Sequence, residues 1–328
     1  MKLFLSTLNQ MGVLAVYMLI GFVLAKLKIL KKGATKTISR MENNIFLPAL
    51  VMYTFIENFN LSTLSESWGL LLFSLGVEII IIPVSIILSR WCSKNDFIKR
   101  MYTYGLCFSN FGFMGNAVVS ALFPEIYQSY IIFTLPLWTF IYVWGVPGLL
   151  VEKEFAPTNR KERVLSALKA LINPMFIALI IGAIIGITGL GEIMLSLNGG
   201  KGIFITQVIK VCGDCMSPLA MIMTGITFAF IDIKKVIKTA SIYVVTALRL
   251  LVYPLVIGGI CLLVDKLVID IPTVFYVCLI CSVSMPLGLN TIVIPSAYGK
   301  DTSVPAGMAL VSHVLSIATI PLVMAILL

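Results

Sequence analysis

Long apolar runs separated by short polar connections dominate the chain. Ten of them approach the roughly 20 residues of helix that a hydrocarbon core requires. They cover 5–25, 40–57, 67–90, 100–121, 129–151, 170–190, 203–229, 239–264, 272–297 and 304–327. The first run has one lysine before it, Lys2, and a cluster behind it, Lys26, Lys28, Lys31 and Lys32. A signal peptide has the opposite charge order and a small-residue cleavage site, so 5–25 is predicted to stay as a span. The longest polar connection, 152–169, carries Glu152, Lys153, Glu154, Pro157 and Asn159 and is too short for a domain. It reads as a linker between a first five-helix half, 1–151, and a second, 170–328.

Composition turns these runs into membrane spans. Hydrophobic residues fill 59% of the 328 positions and charged residues 12%, with a mean hydropathy of +1.03. A soluble chain carries about 25% charged residues, and no soluble core could hide this much apolar surface. The net charge of +9 does not indicate a nucleic-acid partner, because the charges sit in short loops and form no continuous basic face. Their distribution sets topology instead. Nineteen basic residues fall in the loops after odd-numbered spans, from Lys26 and Arg40 through Arg90, Lys94, Lys153, Arg160, Lys169, Lys234 and Lys238 to Lys300. Only Lys2, Lys201, Lys210 and Lys266 fall on the other side. The positive-inside rule then predicts a multi-pass protein of the cell membrane with both termini outside the cytoplasm.

The seven cysteines include two C-x-x-C pairs, Cys212/Cys215 and Cys278/Cys281. Both pairs lie in or beside apolar helices without the turns of a metal knuckle, so they read as small apolar residues rather than zinc ligands. Neither a metal nor a cofactor is expected.

Prolines reveal an internal repeat. Pro48 answers Pro218, Pro83 answers Pro254, and Pro147 answers Pro321, at offsets of 170, 171 and 174. Asn116 in GFMGNAVV falls on Asn290 in PLGLNTIV at the last of these offsets. Five spans per half is an odd number, so the second half enters the membrane from the other side. The predicted fold is all-α: ten transmembrane helices in two inverted five-helix repeats, an architecture of secondary transporters.

Such folds bind substrate near the midplane, where discontinuous helices meet. Spans four (CFSNFGFMGNAVVS) and nine (CSVSMPLGLNTIVIPSAYG) are interrupted by glycine, proline and small amides, and they occupy matching places in the repeats. A helix break exposes N–H groups with partial positive charge at a new helix start. Two facing breaks could hold an anion without a buried lysine or arginine. Asn110, Asn116 and Asn290 can add amide donors there, and Ser109, Ser284 and Thr291 hydroxyls. The competing reading is that these residues serve close helix packing.

These segments resemble a known family. FSNFGFMGNAVVSALF is similar to the fourth span of the auxin efflux carrier family of permeases, and SMPLGLNTIVIPSAYGKD with SHVLSIATIPLV to its ninth and tenth. SPLAMIMTGITFA and RLLVYPLV are also similar, so the resemblance runs over nearly the whole chain. It implies that spans four and nine cross at broken segments holding a substrate carboxylate. Asn110, Gly115, Pro286 and Asn290 fall on the family's motif residues, and with Gly112, Asn116 and Thr291 of the same broken segments they are the candidate substrate-binding residues. It also implies a scaffold of spans one, two, six and seven, often a homodimer, against which the rest moves. The family's first crossover proline falls on Ala117 here, a departure that leaves the span-four break resting on Gly112, Gly115 and Asn116.

Ionisable residues inside spans are functional candidates. Glu78 and Arg249 each precede a matched proline by five residues and form a candidate pair for coupling or gating, or a structural ion pair. His313, the only histidine, suits a proton relay or a packed, hydrogen-bonded position. Asp214 beside Cys215 reads as the N-cap of span seven. Trp138, Thr139, Tyr142 and Ser312 are expected near the same cavity.

The leading function is secondary transport of a small organic anion by alternating access. The substrate would be a mono- or dicarboxylate such as malate or malonate, or an auxin-like aromatic acid. No ATP-binding motif is present, so the energy comes from an ion gradient or transport is passive. Protons are preferred because Glu78 and His313 can titrate; a sodium-coupled symporter is the alternative. An anion channel would show rings of charge, and a membrane enzyme would show clustered Asp, His or Glu. The spans contain neither.

Overall fold

The computed structural model describes residues 2–31, 33–150, 165, 174–200, 202–232, 236, 238–297 and 300–328. The linker 152–169 apart from Leu165, together with Lys32, Lys201, Lys234 and Lys235, lies outside the described residues. The described residues are helical, with one isolated antiparallel bridge, Ser109 to Leu287, and no strand. In the first half α1 covers Lys2–Lys26, α2 Ala34–Met41, α3 Leu47–Asn58, α4 Leu61–Cys92, α5 Asp96–Cys107, α6 Asn116–Leu122 and α7 Tyr127–Phe140. In the second, α8 covers Pro174–Ile187, α9 Leu190–Gly200, α10 Phe204–Asp214, α11 Met216–Ala229 and α12 Ala240–Ala247. The chain ends with α13 at Tyr253–Leu267, α14 at Thr273–Val283, α15 at Asn290–Ala297 and α16 at Ser303–Leu327. Wider π turns occupy Glu42–Phe46, Phe111–Gly115, Ile141–Leu150 and Leu248–Val252.

Among the described residues, six helices are long and apolar enough to cross a membrane: Lys2–Lys26, Ser67–Cys92, Pro124–Leu150, Phe204–Ala229, Ala240–Leu267 and Ser303–Leu327. A bent pair, Pro174–Ile187 with Leu190–Gly200, makes a seventh if counted as one span. The apolar runs at 100–121 and 272–297 are divided, leaving the shorter helices Phe111–Leu122 and Thr273–Val283. The run at 40–57 is carried by α2, the π turn and α3.

Two details differ from the sequence reading. Between 190 and 203, where no element was expected, α9 turns away from α8 by 80°. Gly189, at φ +74°, makes that turn, and Leu190, Ile193 and Leu197 remain exposed along the short helix. Asp214 does not open a span, because helix already begins at Phe204; it pairs with Lys210 one turn back, at 3.2 Å.

The outer faces are apolar, as lipid contact requires: Leu19 on α1, Leu72 and Ile80 on α4, Ile184 on α8, Leu263 on α13 and Ile326 on α16 are all exposed. Inside, α1 packs along α11, α3 along α8 and α10, and α2 against α11. Helices α4, α5, α7, α12, α14 and α16 pack mainly among themselves, with α1 meeting α16 between the two groups. The α1–α11 contact is a close backbone approach. A Cβ on Gly21 would lie 2.8 Å from the Ile222 carbonyl carbon, and one on Gly225 2.7 Å from that of Met18. Without a hydrophobic force between lipid-bathed helices, such small-residue contacts are what lets them pack.

Gly225→Val therefore forces α1 away from α11. The expected result is a loss of about 1–3 kcal/mol or more, read as a lower melting temperature and a smaller monodisperse fraction in detergent. A neighbouring change at exposed Phe230 should leave both unaltered.

Candidate functional site

Asn95 starts α5 by accepting the Ile98 N–H on its side-chain oxygen, and the helix runs inward until Cys107. Phe108 is then extended (φ −116°, ψ 107°), and Ser109 and Asn110 continue the break before helical geometry resumes at Phe111. Serine and asparagine compete with the backbone for hydrogen bonds and weaken helix here. The second break runs from Ser284 to Leu289, between α14 and α15. Pro286 removes a donor at its centre. Gly288 lets the two backbones pass, since a Cβ there would lie 3.2 Å from the Phe108 carbonyl oxygen.

The two breaks cross and satisfy one another. The Asn110 N–H donates to the Pro286 carbonyl at 2.7 Å, and the Ser109 hydroxyl to the Ser282 carbonyl at 2.8 Å. Consecutive residues of α16 reach one break each. The Ser312 hydroxyl accepts the Leu287 N–H at 3.3 Å, and His313 accepts from the Asn110 side-chain amide at 3.0 Å. His313 Nδ1 donates to the Ala309 carbonyl at 2.8 Å, so its Nε2 is the nitrogen left to accept.

Beside the crossing lies a cavity of about 20 Å³, room for one water. Its walls are Tyr104, Ser109–Phe113, Trp138, Ile141 and Gly288–Asn290. Both helix starts, at Phe111 and at Asn290, open onto it, and the first N–H groups of a helix have no partner within it. Tyr104 receives the Asn290 amide on its hydroxyl at 2.9 Å. Phe111 meets Trp138 edge-on, and Trp138 stacks on Tyr142. No lysine or arginine lines the cavity.

A family model described as membrane transport protein matches residues 7–324. The chain belongs to the auxin efflux carrier family. No curated protein matches it. This family carries membrane transporters, and with its apolar helices the chain is a multi-pass membrane protein.

Within this auxin efflux carrier chain, the residues singled out from sequence separate into three places. Asn110, Gly112 and Asn290 line the cavity, with Gly112 packed beneath the Trp138 indole. Pro286 and Thr291 shape the second break, Pro286 by its carbonyl and Thr291 by donating to the Gly288 carbonyl at 3.0 Å. Gly115 and Asn116 lie behind the first break. Gly115 faces the Tyr130 hydroxyl, and Asn116 donates back to the Gly112 carbonyl at 2.6 Å. Asn290 opens a half-helix as Phe111 does, so its geometric counterpart is near Asn110; Asn116 lies more than a turn further on. Ala117 is buried inside α6, and the break is made at 108–110 without a proline at 117.

Glu78 and Arg249 are each 2% exposed but form no ion pair within 4.0 Å. Arg249 instead donates to backbone carbonyls: Leu106 at 2.8 Å, Met285 at 3.3 Å and Ser282 at 3.4 Å. One Glu78 carboxyl oxygen has no hydrogen-bond partner. Tyr104 was not picked out from sequence, although it is a polar tip one turn before a break in an apolar helix. Glu42 was also passed over. It is fully buried in the π turn between α2 and α3, and neither carboxyl oxygen has a hydrogen-bond partner.

The Asn110–His313 contact can be measured. His313→Phe leaves the buried Asn110 amide unpaired, at about 1–3 kcal/mol. A cycle with Asn110→Leu should return a coupling energy of about 1 kcal/mol by thermal unfolding. Additive losses would show that the contact contributes nothing.

Proposed function

We propose that this auxin efflux carrier family member is a secondary carrier for a small organic monoanion with an apolar or aromatic body, working by alternating access. The observation that carries this reading is the cavity at the crossing. Two helix starts supply positive partial charge, Asn110 and Asn290 supply amides, and Tyr104, Phe111, Phe113 and Trp138 supply ring surface. A carboxylate suits the first two and a ring the third. A dicarboxylate such as malate would bring a second charge for which the walls hold no lysine or arginine. The cavity's small volume suits a closed state that must open to admit substrate.

Inverted five-helix halves, 1–151 and 170–328 joined by 152–169, are part of the same proposal. Exchanging the halves turns span one on span seven into span six on span two, and both contacts are present, as α1 on α11 and α8 on α3. Glycines serve both: a Cβ on Gly182 of α8 would lie 2.8 Å from the Met52 carbonyl oxygen of α3. We place both termini outside the cytoplasm from the loop charges. Homodimerisation is assigned to the scaffold of spans one, two, six and seven. Coupling to protons is assigned to Glu78, where a proton can bind without breaking an existing hydrogen bond. His313 holds Asn110 in place, since both its nitrogens are engaged.

Counterflow in proteoliposomes tests the proposal with named probes. Indole acetate or phenylacetate should exchange labelled for unlabelled molecules, and malonate should not. Asn290→Ala should lower that exchange about tenfold or more, the effect of losing a hydrogen bond to a charged group, with expression unchanged. Exchange that persists in Asn290→Ala would put the site elsewhere. Malonate exchange exceeding that of either aromatic acid would overturn the substrate class.

A further inference from the structure

The crossing has an opposite side. Helices α5 and α14 both end there, so their C-terminal carbonyls point into one buried region. Each helix C-terminus carries roughly half a negative charge. Two of them brought together in a low-dielectric interior repel, and the combined charge is about that of one anion. Secondary transporters meet this need with a bound ion: half-helix C-terminal ends and unwound carbonyls coordinate a transported Na⁺ or H⁺.

Here the region is filled by a side chain. Arg249 projects from the π turn Leu248–Val252, is 2% exposed, and places one guanidinium nitrogen on each of three carbonyls. Leu106 belongs to the end of α5, Ser282 to the end of α14, and Met285 to the second break. The Tyr253 ring lies 5.7 Å from the guanidinium carbon and its hydroxyl meets Ser85 at 2.8 Å, closing the region from the side. A charge held this way would ordinarily be expected to pair with the acid at matching depth, Glu78, yet the guanidinium forms no ion pair within 4.0 Å with the Glu78 carboxylate. Its hydrogen bonds go to the helix ends.

We infer that Arg249 is a tethered cation that stands where Na⁺ would bind at the half-helix C-termini, making the crossing independent of sodium. The guanidinium spans oxygens that a partly hydrated ion would otherwise bridge. It carries its charge through every conformational state, whereas a free ion binds and leaves. The consequence for coupling rests on the carrier reading above; the ion replacement itself does not, and it is tested without substrate.

The test is thermal unfolding of the purified full-length protein in detergent, in sodium chloride against choline chloride at equal ionic strength. Wild type should melt at the same temperature in both. Arg249→Ala should be destabilised in choline and recover several degrees in sodium, because an ion that binds only the folded state stabilises it. Arg249→Lys keeps a charge at the site and should show no sodium response. Adding Glu78→Gln to Arg249→Ala should weaken the sodium response by removing the nearest buried acid. A sodium-specific shift in wild type overturns the inference. So does an Arg249→Ala protein that melts equally in both salts, or that folds in neither. Counterflow can fail for every carboxylate while the melting pattern holds, so the two readings fall separately.

Discussion

The bilayer interior offers no water to hydrogen-bond a broken backbone, and each unsatisfied N–H or C=O there is expensive. This chain nevertheless breaks two helices inside the protein. It can do so only because each break becomes the partner of the other: the Asn110 N–H takes the Pro286 carbonyl, and Ser109 takes Ser282. Side chains sent in from α16 and from the turn at Arg249 meet the Leu287 N–H and the Leu106, Ser282 and Met285 carbonyls. The requirement propagates outward. Every residue from Met101 to Val119 and from Cys278 to Leu289 is buried, because an exposed break would face lipid. The surrounding helices exist in this arrangement largely to keep lipid away from that crossing.

Among the described residues, six of the apolar runs, or seven with the bent pair, form helices able to span. They were legible because their signal is local: an apolar run ended by charge or proline, read without knowing what it touches. The breaks were legible for the same reason, since Ser, Asn, Gly and Pro in the middle of an apolar run contradict their surroundings. Their position was less legible. Matching by proline offset pairs Asn116 with Asn290, but the helix restarts at Phe111, and extra residues in the second break shift the register. Partners were not legible. Glu78 and Arg249 share a depth, which suggests a pair, yet the carbonyls at the ends of α5 and α14 compete for the guanidinium and hold it. Sequence lists side chains and is silent on which carbonyls a fold leaves unpaired. Tyr104 was missed likewise, because its role depends on Asn290, far along the chain. The helix α9 was missed because it is too short to span and its apolar face stays exposed.

The crossing also divides charge by direction. Helices that arrive end in carbonyls, and helices that leave begin in N–H groups. One side of the crossing is therefore negative and the other positive, before any ionised side chain is considered. Arg249 sits on the negative side, and the cavity lined by Asn110, Gly112 and Asn290 on the positive side. A carboxylate on the positive side and a guanidinium on the negative side would each see the field of all four half-helices, and each would offset what the other leaves.

That arrangement bears on how the protein would move. A free cation could let the ends of α5 and α14 part whenever it left. A guanidinium bonded to Leu106, Ser282 and Met285 from the α12–α13 turn fastens three elements at every moment. Ser312 and His313 fasten α16 to the same crossing. The elements around the cavity are thus tied to one another by buried hydrogen bonds. The contacts of α1 with α11 and of α3 with α8, by contrast, are close packing of small residues within the other group. Displacement is easiest where few polar bonds have to break. Among the described residues, α1 meets the crossing's group through Gln10 donating to the Ala117 carbonyl at 3.3 Å and the Thr7 hydroxyl to the Met324 sulfur at 3.8 Å. Under the carrier function we propose, that favours motion between the two groups over rearrangement within the crossing, so the site would travel as a unit with its charge balance intact.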